Sequence, residues 1–292
     1  MKPAAFEYVR PRSLDEALDA LADGGDDAKA IAGGQSLVPV LNMRLLRPAL
    51  LVDLNRVPGL DGIAQANGGV RVGALVRQTA MESSPLVRRR IPLAAEALPH
   101  VGHFVTRNRG TVGGSIAHAD ASAELPLALV VLGGSVVTRS PRGGRELPAD
   151  AFFVTHFTTE LEPDELVVET VWPGAGPASG FAFEELALRA GDYALCTCAC
   201  ALRVEEERAL DVRIGLGSVV DRPSLVAEAA ALVEGETVTL ELAREAGAAA
   251  AATVDPAGSI HATPAYLSNL VRVLVERALL RAWRNAREGG PL

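Results

Sequence analysis

The sequence predicts an α+β protein of three compact units, and three features of the chain support this prediction. Near the N-terminus, short apolar runs alternate with a helical pattern, as in a small β-α-β unit. Residues 173–180 are rich in glycine and proline and mark the clearest boundary. Three strand-like runs followed by three helical runs then indicate a separate C-terminal domain. We therefore predict a first subdomain over residues 1–57, a second over residues 58–175 and a C-terminal domain over residues 176–292.

The elements of the first unit follow from its apolar pattern and its caps. Ser13 is placed to start a short helix whose apolar residues recur on one face, and residues 28–32 are expected to form a buried strand. Residues 37–46 are predicted to be helical despite Pro39, because proline is tolerated near the start of a helix. Residues 50–54 complete the unit as a second strand.

Strands, short helices and turns alternate in the second unit. Its clearest helices are predicted over residues 92–101 and 124–132, and its clearest strands over residues 135–138 and 166–172. The C-terminal domain is expected to have strands over residues 181–188, 194–204 and 209–219, followed by helices over residues 223–233, 240–252 and 264–287.

Composition and charge limit the classes of function. Hydrophobic residues make up 49% of the 292 residues and charged residues 22%, which is typical of a globular chain with a real core. The formal net charge is −8 and basic residues are not clustered beyond three arginines at residues 88–90, so a nucleic-acid partner is not expected. No apolar stretch approaches the roughly 20 residues that span a bilayer, and the N-terminus has no signal-peptide pattern, so we expect a cytoplasmic protein without a membrane span.

The three cysteines of the chain, Cys196, Cys198 and Cys200, alternate along one predicted strand. Alternation places their side chains on one face of the sheet, where thiols act as small hydrophobic groups in a core. A metal cluster usually needs a fourth ligand and a looped spacing, so no metal site is assigned to them. If the protein works with iron–sulfur centres, another chain has to hold them.

Two glycine-rich turns carry the strongest indication of function. The first comprises Ala32, Gly33, Gly34, Gln35 and Ser36, and the second comprises Thr111, Val112, Gly113, Gly114 and Ser115. Paired glycines let a backbone approach a pyrophosphate closely, and bare N–H groups donate to its oxygens. Either turn alone is better explained as a structural tight turn, whereas two such turns in one chain favour a dinucleotide-binding site.

The first turn differs from the Rossmann fingerprint, although Asp53 ends a strand about 20 residues after it. The third glycine of the fingerprint is missing, Pro39 interrupts the helix that should follow, and no doubly wound set of strands continues along the chain. Asp53 is therefore interpreted as a strand-end or turn carboxylate.

The first turn and residues 107–126, which read RNRGTVGGSIAHADASAELP, together resemble the FAD subunit of carbon monoxide dehydrogenase and related molybdenum hydroxylases. The resemblance continues through residues 52–55, 72–74, 162–165 and 189–193, and so covers nearly the whole chain. It implies an FAD-binding PCMH fold, of the vanillyl-alcohol-oxidase type, with two α/β subdomains plus a C-terminal domain of three antiparallel strands and three helices.

The same resemblance implies one FAD and a place in a complex. In that family a molybdopterin large subunit oxidises the substrate, and an iron–sulfur small subunit passes the electrons to FAD, which reduces an external electron acceptor. The chain would then be an electron-transfer oxidoreductase subunit. Two alternatives remain at this point, namely a free-standing FAD-dependent oxidase or dehydrogenase for a small organic substrate and a non-catalytic scaffold that retains the fold.

By the resemblance, both turns would hold the pyrophosphate and ribityl chain of FAD through backbone N–H groups and hydroxyls. Family members often have histidine where Gln35 stands, but its amide still donates and accepts hydrogen bonds. Asp120 and Glu124 match acidic positions after the second turn, and Glu124 corresponds to the carboxylate that reaches the sugar-alcohol region of the flavin. A helix cap explains Glu124 equally well, whereas Asp120 is favoured slightly as a ligand.

Tyr193 matches the aromatic residue that lies against the isoalloxazine ring in this family, which makes it the candidate catalytic residue. It would shield the flavin or move aside for an oxidant, and the alternative is an ordinary tyrosine at the start of a strand. Leu195 stands where related xanthine dehydrogenases have a lysine, which weakens the case for NAD as the oxidant. His118 is interpreted as structural.

Overall fold

In the computed structural model, which describes residues 2–289, the first subdomain is a three-stranded parallel sheet with the order β1-β3-β2 and two helices. Its elements are β1 (Glu7–Val9), α1 (Leu14–Gly24), β2 (Ala28–Ile31), α2 (Leu37–Asn42) and β3 (Leu50–Asp53). Helix α1 begins where the sequence predicts, because the Ser13 hydroxyl accepts the backbone N–H of Glu16 at 3.1 Å. Its buried face packs on β2 and β3.

Three details of the first subdomain differ from the prediction. The sequence does not predict β1, whose three residues are all exposed and leave no buried periodicity. Strand β2 lies at one edge of the sheet, with Lys29 exposed, so the expectation of a buried strand is wrong. Helix α2 ends at Asn42 rather than at residue 46, since Arg44 adopts a left-handed conformation with a φ of 59°.

The second subdomain is built on an antiparallel sheet of five strands in the order β4-β5-β10-β6-β7, with a separate pair β8-β9. Its strands are β4 (Ile63–Ala66), β5 (Gly69–Gly73), β6 (Ser135–Ser140), β7 (Gly143–Pro148), β8 (Phe153–Thr155), β9 (Thr158–Thr159) and β10 (Leu166–Trp172). Its helices are α3 (Gln78–Ser83), α4 (Pro85–Arg90), α5 (Pro92–Ala97), α6 (Phe104–Arg109), α7 (Val112–His118), α8 (Glu124–Leu132) and α9 (Ala149–Phe152). Helix α8 and strands β6 and β10 confirm the predictions for this unit.

The helix predicted over residues 92–101 is shorter in the structure. Helix α5 ends at Ala97, and a single 3₁₀ turn, Leu98–His100, follows it. Pro99 lies inside this turn and has no N–H to continue an α-helix, which explains the change.

The C-terminal domain has three long antiparallel strands and three helices, as predicted. Its elements are β11 (Ser179–Ala187), β12 (Ala194–Glu205), β13 (Arg208–Gly217), β14 (Ser224–Leu225), α10 (Ala227–Val233), α11 (Leu240–Ala252) and α12 (Pro264–Arg287). The short β14 pairs with β13 and delays the start of α10, which the sequence places at residue 223. All three cysteines are fully buried in the core between the sheet and its helices, which confirms their interpretation as core residues.

Two features join the C-terminal domain to the second subdomain. Helix α8 is buried along nearly its whole length and packs against α5, β12 and β13, as expected for a helix that is apolar on all sides. The Arg281 guanidinium donates to Glu96 Oε2 and to the carbonyl of Phe183, each at 2.6 Å. The first turn of α8, which carries Glu124, is therefore fixed by the packing of both domains.

Over residues 2–289, no helix is both long enough and apolar enough to cross a membrane.

Candidate functional site

A cavity of about 630 Å³ brings the two glycine-rich turns together. This volume lies within the range of about 300–1,000 Å³ that small-molecule sites occupy. The predicted site residues that line it are Ala32, Gly33, Gly34, Gln35, Ser36, Thr111, Gly113, Gly114, Ser115, Asp120, Glu124 and Tyr193. Val112 is the exception, because its side chain is fully buried in the core of the second subdomain. Residues from all three predicted units thus meet at one site.

The first turn presents unpaired backbone donors to this cavity. Over residues 2–289, the N–H groups of Gly33, Gly34, Gln35 and Ser36 donate to no acceptor of the protein. Gly34 has a φ of 72°, a conformation that glycine adopts without strain. The Gln35 side chain folds back, and its Nε2 donates to the Gly33 carbonyl at 3.2 Å. Four consecutive free N–H groups form a donor set suited to an anionic group.

The second turn uses most of its N–H groups inside the protein. Val112 N donates to the Val76 carbonyl at 3.0 Å, and Gly113 N donates to the Ala74 carbonyl at 2.9 Å. Thr111 caps helix α7, because its Oγ1 accepts the N–H of Gly114 at 3.1 Å. The expectation of bare N–H groups is therefore wrong for most of this turn, which faces the cavity with Ser115 and with glycine surface.

Direct backbone contact explains why glycine occupies Gly33 and Gly113. A Cβ atom on Gly33 would press on the carbonyl of Arg109 and lie 2.9 Å from the Cα of Gly110. A Cβ atom on Gly113 would lie 2.7 Å from the Cα of Ala74. Both distances are far below ordinary van der Waals contact, so these glycines allow the turns to approach the rest of the chain.

Two acidic side chains, those of Asp120 and Glu124, also line the cavity. Asp120 is mostly buried, and its Oδ1 accepts the N–H of Ser122 at 2.9 Å and the Ser122 hydroxyl at 2.7 Å. Glu124 is only 9% exposed in the first turn of α8. Burial above all, with the nearby charges of Glu185 and Asp120, raises the pKa of Glu124 to about 8. At neutral pH the Glu124 carboxyl is therefore mostly protonated and able to donate a hydrogen bond.

Tyr193 stands at the mouth of the cavity, directly before strand β12. Its side chain is 73% exposed, so packing does not explain its position. Partial desolvation, followed by the charges of Asp120 and Glu124, raises the pKa of its phenol. Gly191 precedes it with a φ of 84° and lies against His103, which fixes the approach of this segment to the rim.

Several residues of the cavity have no signal in the sequence. Gln78 is 4% exposed and lines the wall, yet its buried Oε1 has no hydrogen-bond partner in the part of the chain that the structure describes. A buried oxygen of this kind is suited to accept a hydrogen bond from a ligand. Lys29 and Phe157 also line the cavity. His118 contributes to the wall as well, with its ring 4.8 Å from that of Phe157, and burial lowers its pKa.

Arg107 has a structural role beside the cavity. Its Nε donates to Glu82 at 2.8 Å, and its Nη1 donates to the carbonyls of Val101 and Gly102 at 3.1 Å each. These contacts hold the segment that precedes α6 and the second turn. Over residues 2–289, no group of three or more His, Cys, Asp or Glu side chains is arranged to hold a metal ion.

One cavity is lined by both turns, and the free amides of the first turn form a donor set typical of a site for an anionic group. Comparison with known protein families identifies the family to which the chain belongs. Residues 4–174 match the family described as "FAD binding domain in molybdopterin dehydrogenase". Residues 181–282 match the "CO dehydrogenase flavoprotein C-terminal domain". The chain belongs to the family of FAD-binding medium subunits of molybdenum hydroxylases of the carbon monoxide dehydrogenase and xanthine dehydrogenase type.

Individual relatives agree with this assignment over almost the full chain. The 6-hydroxypseudooxynicotine dehydrogenase complex subunit alpha of Paenarthrobacter nicotinovorans is 42% identical over 98% of this chain and 97% of its own length. The carbon monoxide dehydrogenase medium chain of Hydrogenophaga pseudoflava is 35% identical over 97% of this chain and 99% of its own length. The structure of carbon monoxide dehydrogenase from Hydrogenophaga pseudoflava superposes with a TM-score of 0.95 at 36% identity, over 97% of this chain and 99% of that one. The α+β fold predicted from the sequence is thereby confirmed, and the chain is a flavoprotein subunit of a multi-subunit molybdenum-containing dehydrogenase.

Proposed function

We propose that the chain binds one FAD non-covalently and relays electrons within its complex. A molybdopterin large subunit would oxidise the substrate and pass the electrons to iron–sulfur clusters on a small subunit. The chain would receive the electrons from these clusters. They would leave to an external electron acceptor. When bound, FAD exchanges electrons singly with iron–sulfur centres and in pairs with two-electron acceptors.

One observation carries the proposal, namely the four unpaired N–H groups of residues 33–36 at the wall of a cavity that the second turn also lines. Amide donors of this kind suit a pyrophosphate. Ser115 and the buried amide of Gln78 offer further hydrogen bonds along the same cavity. The protonated carboxyl of Glu124 would donate to the sugar-alcohol region rather than repel an anionic ligand.

The position of the substrate site in another subunit is supported by the relatives. The proteins that share this fold over their full length are named for unrelated substrates, such as 6-hydroxypseudooxynicotine and carbon monoxide. A subunit that aligns over nearly its full length with members of complexes for such different substrates suits a shared electron-transfer step. Cys196, Cys198 and Cys200 are enclosed in the C-terminal core, which supports a partner chain as the holder of the clusters.

The side chains at the mouth suit the control of access. Tyr193 would cover the isoalloxazine ring from its exposed position at the cavity. A two-electron acceptor would then approach the flavin only past Tyr193.

An absorption spectrum of the purified chain tests cofactor binding. We expect flavin bands with one FAD per chain, and acid precipitation should release all of the yellow colour into the supernatant. Colour that stays in the pellet would indicate a covalent link, for example through His118, which lies in the cavity wall. A colourless chain that does not take up added FAD would contradict the proposal.

Co-purification separates the electron relay from a free-standing FAD enzyme. A tagged chain expressed with its neighbouring genes should carry an iron–sulfur subunit and a molybdopterin subunit with it. Electrons from the substrate of the complex should reduce its flavin. A lone chain that oxidises a small organic compound at a useful rate would favour the alternative of a free-standing oxidase or dehydrogenase.

A further inference from the structure

Two side chains outside the glycine-rich turns connect the turns to each other. We propose that Asn55 and Arg77 form a clamp that sets the distance and orientation of the two turns, and that both are positioning residues for cofactor binding. The inference rests on the proposed function, because FAD is the ligand that the turns would hold. We call this pair the Asn55–Arg77 clamp.

The clamp holds the second turn through Arg77. The Arg77 Nη1 atom donates at 2.5 Å to the carbonyl of Arg109, two residues before the second turn, and Nη2 donates to Asn55 Oδ1 at 2.6 Å. A guanidinium is planar and its N–H groups point in fixed directions, so two bonds from one group fix both partners. Backbone pairing of Arg77 with Thr111 places the two segments side by side.

The clamp holds the first turn through Asn55. The Asn55 Nδ2 atom donates to the carbonyl of Ala32 at 2.8 Å. This carbonyl and the N–H of Gly33 belong to one planar peptide and point in opposite directions. Because Asn55 binds the Ala32 carbonyl, the Gly33 N–H points away from the clamp. Gly33 itself lines the cavity. The orientation of the free donors thus depends on Asn55.

Asp53 keeps Asn55 in place. Its Oδ1 accepts the N–H of Asn55 at 3.0 Å and the Asn55 side-chain amide at 2.5 Å, while Tyr8 and Arg10 bind its other oxygen. Burial alone would raise the pKa of Asp53, but these hydrogen bonds and the charge of Arg10 together bring it below its usual value. An ionised carboxylate at the end of β3 therefore anchors the clamp.

No other polar contact performs this task. Over the described chain, no hydrogen bond joins residues 32–36 directly to residues 109–115. Gly33 of the first turn lies against the backbone of Arg109 and Gly110, which lead into the second turn. The turns belong to different subdomains, so the clamp is the polar link across their junction. Burial, and then the neighbouring charge of Arg109, lowers the pKa of Arg77, so an anionic ligand beside the turns would stabilise its charge.

Binding measurements on the flavin-free full chain test the clamp. Arg77→Met and Asn55→Leu should raise the Kd for FAD by about tenfold to a hundredfold, the range expected for losing hydrogen bonds to charged or buried groups. The Kd for ADP should rise by the same factor, because ADP carries the pyrophosphate that the turns would hold. Arg71→Met is the matched control, since Arg71 pairs with Glu169 at 2.6 Å in the same subdomain and touches neither turn.

Hydrogen exchange separates positioning from general stability. In the flavin-free Arg77→Met chain, amides of residues 32–36 and 110–115 should exchange faster, while the rest of both subdomains exchanges as in the wild type. Arg77→Lys should restore part of the affinity, because an ammonium group reaches one of the two partners. If Arg77→Met does not fold, Arg77→Lys and Asn55→Leu decide the question.

Two outcomes would overturn the clamp, and they are distinguishable from failure of the proposed function. Wild-type binding of FAD and ADP with unchanged Kd values in both variants would refute the clamp alone. The same holds for faster exchange spread over the whole chain, which would indicate a merely structural role. A wild-type chain that binds neither FAD nor ADP would refute the proposed function and the clamp with it.

Discussion

The two glycine-rich turns look alike in the sequence and play different parts in the structure. In the first turn, the N–H groups of residues 33–36 have no acceptor among the described residues, and the turn lines the cavity. In the second, Val112 and Gly113 donate to residues 74–76, and Gly114 donates to the capping hydroxyl of Thr111. A glycine pair therefore indicates close approach of a backbone, while the surrounding fold decides whether a ligand or another segment approaches.

The largest effect on stability is expected at Gly113, because the second turn packs directly against the backbone of Ala74 at this residue. Gly113→Val would place a branched side chain against the Cα of Ala74, so the free energy of unfolding should fall by about 3 kcal/mol. Urea denaturation of the flavin-free chain measures this loss. Gly62→Val is the control, since nothing lies within 4 Å of a Cβ atom at Gly62. Equal stability of both variants would disprove the packing role.

A ligand-binding effect is expected at the first turn. Gly33→Ala would push the backbone of Arg109 and Gly110 away and misalign the free donors, so the Kd for FAD should rise at least about tenfold. The accompanying loss of stability should be smaller than in Gly113→Val, because the contact lies at the surface of the cavity. Fluorescence titration with FAD gives the Kd, and a variant that binds FAD like the wild type would remove the distinction between the turns.

Glu124, which follows the second turn, should make both the stability of the chain and its affinity for FAD depend on pH. The pKa of Glu124 is raised from 4.5 in a free carboxyl to about 8 in the folded chain, so the folded state holds this proton more tightly. The stability of the flavin-free chain should therefore fall as the pH rises between those two values, by up to about 1.4 kcal/mol for each pH unit. Glu124→Gln should remove this dependence, and its unfolding midpoint should exceed that of the wild type more at pH values near 8 than near 5.

The exposed Glu245 provides the control for that experiment. Glu245→Gln makes the same chemical change at an exposed position of α11 that does not line the cavity. FAD affinity of the wild type should also decline above a pH of about 8, where the ionised Glu124 repels an anionic ligand. If Glu124→Gln and the wild type keep the same pH profile in both measurements, the carboxyl is not the group that titrates.

The smallest effect on stability is expected for Tyr193, which belongs to neither turn. Tyr193→Ala should change the free energy of unfolding by no more than about 0.5 kcal/mol, because the side chain is 73% exposed. If the ring covers the flavin, its removal should shift the flavin absorption bands and quicken reoxidation by oxygen in stopped-flow experiments. Tyr266→Ala on α12, which is 46% exposed, is the matched control. A wild-type spectrum and reoxidation rate would assign Tyr193 no role at the ring.

Elements with strong local signals could be predicted from the sequence. Helix α11 and helix α12 have the predicted bounds, since apolar periodicity and a capping threonine before each helix are properties of a few neighbouring residues. Strand β1 could not be predicted, because its three residues are stabilised by pairing with β3, more than 40 positions away in the chain. The early end of α2 likewise depends on the left-handed conformation of Arg44, which the local sequence pattern does not predict.

The sequence by itself determined the fold class and the burial of the cysteines. Of the twelve residues predicted from it to bind the cofactor, eleven line the cavity, as does Tyr193. Each of these follows from a residue type in a local pattern or from a motif that resembles a family. Only the tertiary structure decided which N–H groups remain free, because a donor is free or paired according to segments far away in sequence. Gln78, Asn55 and Arg77 could not be predicted for the same reason, because the atoms that they contact or line belong to segments far away in the sequence.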